Sequence, residues 1–184
     1  MIKKELITIQ SEAWFDEEKE HRYVFRRQWS NAQNKDKEES LAVVVTIRPG
    51  GTVAHVEDLT MMLVEKNIRQ LGFDGFIAVN LFSAINSNTK GGIDDNTVEV
   101  ISTVLKDKQI NRIIFACGSI LYANKVSLSQ AQAIFDLLSA KQKKQAKILV
   151  DPTTSRFAHP LCPYVRKSWS LVDLAQENLV DISS

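Results

Sequence analysis

Four apolar runs punctuate the chain. They are Leu41–Ile47 (LAVVVTI), Gly75–Phe82 (GFIAVNLF), Arg112–Cys117 (RIIFAC) and Ala146–Val150 (AKILV). Runs apolar at successive positions predict strands covered on both faces by helices. Between them the pattern changes period. Met61, Val64, Ile68 and Leu71 recur at steps of three and four and predict a helix with one buried stripe. Asp58 stands where its carboxylate can cap that helix, and Gly72 where the helix would close. Asp94, Asp95 and Asn96 offer caps for a helix carrying Val98, Ile101 and Leu105. Ser129 and Gln132 have capping-box spacing, ahead of a stripe of Ala131, Ile134, Phe135 and Leu138.

The flanks are less regular. Residues 1–20 read as an N-terminal extension or edge strand, with alternation from Leu6 to Gln10 and an acidic turn from Asp16 to Glu20. HRYVFRRQW, from His21 to Trp29, predicts a strand with Tyr23, Phe25 and Arg27 on one side and Arg22, Val24 and Arg26 on the other. The polar stretch 30–40 reads as a loop. After Asp151-Pro152 comes the loop TTSRFAHPLCP, and 168–184 reads as a tail or short helix.

Strand alternating with helix predicts one α/β domain over residues 1–184. It would be a three-layer α/β/α arrangement with a mostly parallel sheet of about four core strands plus edge strands. In such sheets ligands bind outside the carboxyl ends of the strands. The loops 48–58, 80–95 and 151–163 should therefore share one edge.

Composition narrows the classes. Apolar residues make up 44% and charged residues 24%, ordinary for a globular chain. A formal net charge of +1 gives no whole-chain field for nucleic acid or membrane. No apolar run approaches the ~20 residues of a membrane helix, and no signal peptide is visible, so a cytoplasmic protein is expected. Cys117, in an apolar run, reads as a reduced buried thiol, and no Cys/His spacing suggests a metal. No metal or cofactor is expected. The phosphate fingerprints GxGxxG and GxxxxGK[ST] and the GxSxG nucleophile elbow are absent. One asymmetry is local: Lys141, Lys143, Lys144, Lys147, Arg156, Arg166 and Lys167 stand against Asp151 alone. Such a patch can attract phosphate, although lysines at a helix end also suit its dipole.

Candidate chemistry lies in the three loops. Asn80, at a strand end, carries an amide that can pair with a donor–acceptor edge such as a nucleobase, or can order the neighbouring backbone. Phe82 can stack on a base or join the core. His159 precedes a proline in a strand-end loop, where an imidazole can donate to a departing group or simply face solvent. Asp58 is the nearby candidate base. His55, Glu57 and Asp58 form an acid/base cluster or a run of charges at a helix start. Arg48, Gly50 and Gly51, with Arg156 and Lys167, are candidates to hold phosphate. The Pro49-Gly50-Gly51 turn would let a ligand approach the backbone.

Over roughly residues 21–163 the chain resembles a bacterial family without an assigned activity, the domain of unknown function 1643 family. The likeness rests on HRYVFRRQW, VEDLT (Val56–Thr60), VNLF following GFDGF, FACG (Phe115–Gly118) and AHPL (Ala158–Leu161). Where that family has Asn-Pro-Ser after the first central strand, this chain has Arg48-Pro49-Gly50. Its Asp-Asp-Pro-Thr is here Glu57-Asp58-Leu59-Thr60. The layout is also similar to that of the uracil-DNA glycosylase superfamily, in the order Pro49-Gly50-Gly51, Asn80, His159-Pro160-Leu161. That similarity implies that Asn80 reads a base, His159 assists its departure and the partner is nucleic acid or a nucleotide. Two alternatives stay open: a binding protein for a nucleotide or small phosphorylated ligand without chemistry, and a partner-binding module.

Overall fold

The computed structural model describes residues 2, 6–31, 39–50, 58–85 and 94–180. In chain order these form β1 (Ile7–Phe15), β2 (Arg22–Asn31), β3 (Leu41–Thr46), α1 (Leu59–Gln70), β4 (Gly75–Asn80), α2 (Asp95–Val104) and β5 (Ile110–Phe115). There follow α3 (Ile120–Ala123), α4 (Lys125–Asp136), α5 (Ala140–Gln145), β6 (Ala146–Val150), β7 (Ser170–Asp173) and α6 (Gln176–Val180). The strands make one sheet, ordered β1-β2-β4-β3-β5-β6-β7.

The fold is α/β, but its sheet is mixed rather than mostly parallel. β4, β3, β5 and β6 run parallel, while β1, β2 and β7 pair antiparallel with their neighbours. The connections explain this. β1 and β2 are joined by the tight acidic turn, which permits only an antiparallel pair, whereas each parallel neighbour needs a crossover. The polar 168–184 segment holds β7, whose four residues carry too short a pattern to announce a strand.

Two apolar layers flank the sheet. Val43, Val45, Ile77, Val79, Ile113, Phe115 and Ile148 pack with Ile101 and Val104 of α2 and Ile134 and Phe135 of α4. On the opposite face Ala42, Val44, Phe76, Ala78, Ile114 and Leu149 pack with Met61, Val64 and Ile68 of α1. The α1 stripe ends one turn earlier than its spacing suggests: Leu71 is the C-cap and is 42% exposed. Gly72 closes the helix at φ +83°.

Two further readings are corrected. Ser129 and Gln132 lie inside α4, which begins at Lys125 with the Asn124 side chain accepting from the Ser127 N–H at 2.8 Å. Buried Leu121 and Leu128 extend the apolar pattern upstream and draw the helix start with them. The capping box is instead Ser139 with Gln142, at the start of α5. In β2 the alternation slips. Trp14 faces Val24 and Phe15 faces Arg22, so Tyr23 is an extra residue in the ladder. Such a bulge re-aims neighbouring side chains. Tyr23 and Val24 therefore enter the same apolar layer. Arg22 crosses to the α1 face, its guanidinium 5.5 Å from the centre of the Phe25 ring. Arg26 stays on the α2 face, where it pairs with Asp107 at 3.0 Å.

Candidate functional site

The four parallel strands bring their carboxyl ends to one edge, and the β3–β4 pairing fixes the first group there. Thr46 and Asn80 are register partners at the two strand ends. The Thr46 hydroxyl donates to Asn80 Oδ1 at 2.8 Å. Beyond the strands the chains stay zipped: Leu81 N–H donates to Thr46 O at 2.9 Å and Phe82 N–H to Ile47 O at 3.1 Å. Asn80 is thus held rigidly and is 3% exposed. Phe82 is a core residue here, with the Arg48 guanidinium 5.2 Å from its ring centre.

Asp58 is the hub of the edge. Its Oδ1 accepts from the Met61 N–H at 2.9 Å and caps α1. Its other oxygen sits where a side chain on Gly50 would be: a β-carbon there would overlap Oδ2 and lie 2.5 Å from Cγ. Glycine is what lets the exit of β3 pass against the helix cap. The charge of Asp58 acts on two further groups. Burial lowers the pKa of the Arg22 guanidinium, and Asp58 opposes that shift. Burial also lowers the pKa of the His159 imidazole, again against Asp58.

His159 arrives by a fold-back. Asp151 N–H donates to Arg156 O and Ala158 N–H to Leu149 O, both at 2.8 Å. Val150 and Phe157 form an antiparallel bridge. Residues 157–159 thus run back beside β6 and over the end of β5, where Gly118 makes room. Gly118 has φ +70°, and a β-carbon on it would lie 2.9 Å from His159 Cβ. The Leu161 N–H donates to His159 Nδ1 at 3.3 Å. In the neutral ring the proton therefore sits on Nε2, leaving a donor for a ligand.

The remaining candidates lie apart. Arg156 is exposed, over the Tyr122 ring at 5.1 Å. Lys167 is exposed in the segment crossing α1, where Lys66 Nζ donates to Arg166 O at 3.0 Å. Lys66 is roughly 12 Å along the helix from Asp58 at 1.5 Å per residue. Gly51, His55 and Glu57 lie outside the described residues. Sequence reasoning missed Arg22, Thr46 and Gly118 as parts of this edge. Gly118, directly after an apolar run, was the readable signal; the bulge that turns Arg22 was not.

A second polar cluster lies on the α2 side. His21 Nδ1 is 2.8 Å from Ser83 Oγ and 3.7 Å from Asp94 Oδ2. Both contacts fall on one ring nitrogen, so this is not a proton relay, which needs hydroxyl and carboxylate on opposite nitrogens. With Tyr23 OH donating to Asp94 at 2.5 Å and Thr97 Oγ1 to Ser83 Oγ at 2.9 Å, the cluster ties the start of α2 to the sheet. Cys117 is buried, its thiol donating to Val45 O at 3.5 Å, and burial raises its pKa. Among the described residues no group of three or more His, Cys, Asp or Glu is placed to hold a metal ion, and no helix is long and apolar enough to cross a membrane.

Residues 22–161 match the model of the family described as protein of unknown function (DUF1643). No curated protein and no solved structure matches the chain. The layout similarity to uracil-DNA glycosylases thus finds no support among these comparisons. The matched span opens at Arg22, closes at Leu161 beside His159, and takes in Asp58 and Asn80 between them: the chain belongs to the DUF1643 family.

Proposed function

We propose that the edge formed by Arg22, Asp58, Asn80 and His159 binds the nucleobase portion of a nucleotide or nucleic acid. The observation that carries this reading is the convergence of a carboxylate, a buried guanidinium and a neutral imidazole about one helix start, beside a fixed amide. β4 and β5 flank β3, so at ~4.8 Å per strand their ends stand about 10 Å apart, a gap on the scale of one planar ring system. Asn80 presents the amide that addresses the base edge. His159 Nε2–H donates to a base carbonyl. Arg22 and Arg48 supply positive charge for a phosphate. Asp58 and His159 are the pair able to exchange a proton with the ligand, as a glycosylase-like pocket would need.

One observation favours binding without chemistry. One oxygen of Asp58 caps Met61 and the other rests against Gly50, so the carboxylate is pinned before any ligand arrives.

Thermal melting against nucleobases, nucleosides, nucleotides and short oligonucleotides tests the reading. A ligand at 100 times its Kd adds ~2.7 kcal/mol, roughly 5 to 11 °C for a chain of this size. Melting unchanged across the panel overturns the proposal. Base release from the same oligonucleotides, lost in Asp58→Asn, would assign catalysis. Binding with no release would assign the non-catalytic role.

A further inference from the structure

The geometry points to a single-stranded polynucleotide, rather than a free mononucleotide, as the ligand, with Tyr122, Phe157 and Arg156 as a stacking platform for the base next to the one held at Asn80. This rests on the nucleobase reading above and names its substrate class. Tyr122, in α3, comes from the connection after β5, and Phe157 from the loop after β6. Their rings stack with centroids 4.9 Å apart and planes inclined by 30°. The Phe157 N–H donates to Tyr122 OH at 3.3 Å, which locks the two loops together. The Arg156 guanidinium lies 5.1 Å from the Tyr122 ring centre.

Phe157 is partly buried against the α2/α4 layer; three features carry the group beyond core packing. Tyr122 is 38% exposed and Arg156 is exposed, so the aromatic residue and the cation over its ring both meet solvent. Asp151, the acid nearest in sequence, is turned into its own loop, where its carboxylate accepts from Thr153 N–H at 2.8 Å and Thr153 Oγ1 at 2.7 Å. And the platform is close in the chain to His159 of the proposed base site. Phe157 is two residues from His159 on the same fold-back, about 7 Å of extended chain. An aromatic face with an arginine beside it is what sequence-tolerant single-strand binding uses: the base stacks and the guanidinium meets the phosphate. Only a ligand with a second nucleotide reaches both places.

The test compares a nucleoside monophosphate with an unstructured oligonucleotide of about six nucleotides, titrated onto the intact chain. The oligonucleotide should bind more tightly. Tyr122→Ala should weaken it on the order of tenfold or more, leaving the mononucleotide unchanged, while Tyr122→Phe, which keeps the ring but loses the hydrogen bond from Phe157, should bind the oligonucleotide more tightly than Tyr122→Ala. Arg156→Gln should reduce the slope of log K against log salt by about 0.7, one phosphate contact. If Tyr122→Ala does not fold, the oligonucleotide preference of the wild type and the Arg156→Gln slope decide. Equal affinity for both ligands, or oligonucleotide binding indifferent to Tyr122 and Arg156, overturns the platform and leaves the nucleobase site standing. Failure of both ligands to bind removes the two together.

Discussion

Gly50 and Asp58 are in such close contact that any side chain at position 50 would displace the carboxylate that caps α1. Gly50→Ala should therefore behave like loss of the cap, costing about 1 kcal/mol. Asp58→Ala should cost a similar amount, and the double variant should be clearly less than additive, since both changes remove one interaction. Asp58→Asn separates stability from charge. Asparagine caps as well as aspartate, so its melting temperature should stay near wild type while ligand binding or turnover falls. Equal additivity in the urea-unfolding cycle would show that the two residues act independently.

Gly118 makes the corresponding contact with His159. At φ +70°, with the His159 β-carbon in the way, Gly118→Ala meets both a conformational and a steric penalty. The conformational part alone is roughly 1–2 kcal/mol. Gly72→Ala, at φ +83° but with open space around it, carries only that part. Gly118→Ala should thus be the more destabilising of the two and the only one to lower ligand affinity. Chemical denaturation and a binding titration on the same pair of variants check this.

His159 should leave a mark on the pH dependence of stability. Burial holds its folded pKa below the ordinary value near 6.5. In the window between the two values the unfolded chain binds the proton and the folded chain does not. Stability contributed by neutral His159 is thus present above the ordinary value and is lost as pH falls through the window. His159→Gln should flatten the dependence of melting temperature on pH below the ordinary histidine value near 6.5. Asp58→Asn removes the opposing charge, lowers the folded pKa further and should extend the drop to lower pH and deepen it, with its onset unchanged. A variant with the full wild-type slope would show that His159 does not titrate in this range.

Glu65 pins α1 to the sheet. It accepts from buried Arg27 at 3.1 Å and pairs with Arg69 at 2.7 Å. Arg69 in turn lies 3.8 Å from the Trp29 ring centre. Glu65→Ala leaves the Arg27 charge buried at 6% exposure without this partner. A loss on the order of 3 kcal/mol is expected. Lys147→Ala breaks a pair with the exposed Asp173 and should cost under about 1 kcal/mol. Urea midpoints of the two variants should differ accordingly.

Much of the scaffold was legible from periodicity. Burial on both faces leaves a continuous apolar run, and one-sided burial leaves a stripe. So β3 to β6, the body of α1 and the Asp58 cap could be read directly. Edge elements were less legible because edges carry weaker patterns: β1, exposed along most of its length, was read as an edge strand only through its first residues, and β7, with four residues, escaped. The parallel character was overestimated for the same reason, since the antiparallel strands are the edge ones and β2.

The site divides along the same line. Local chemistry determined that Asp58 caps a helix, that Asn80 ends a strand and that His159 stands in a strand-end loop, because each depends on near neighbours in the chain. Only the tertiary structure decided which residues face one another. A single bulge at Tyr23 sends Arg22 to the α1 face beside Asp58, against the alternation of its own strand. A fold-back against β6 sends His159 to Gly118, across the end of β5. Arg156 and Lys167, close in sequence, go to different places because one sits on the fold-back and the other on the segment crossing α1. Side-chain direction in a strand reverses with one inserted residue, and loop position depends on hydrogen bonds to distant strands. Neither is written in local pattern, which is why the scaffold of this site was readable and its membership was not.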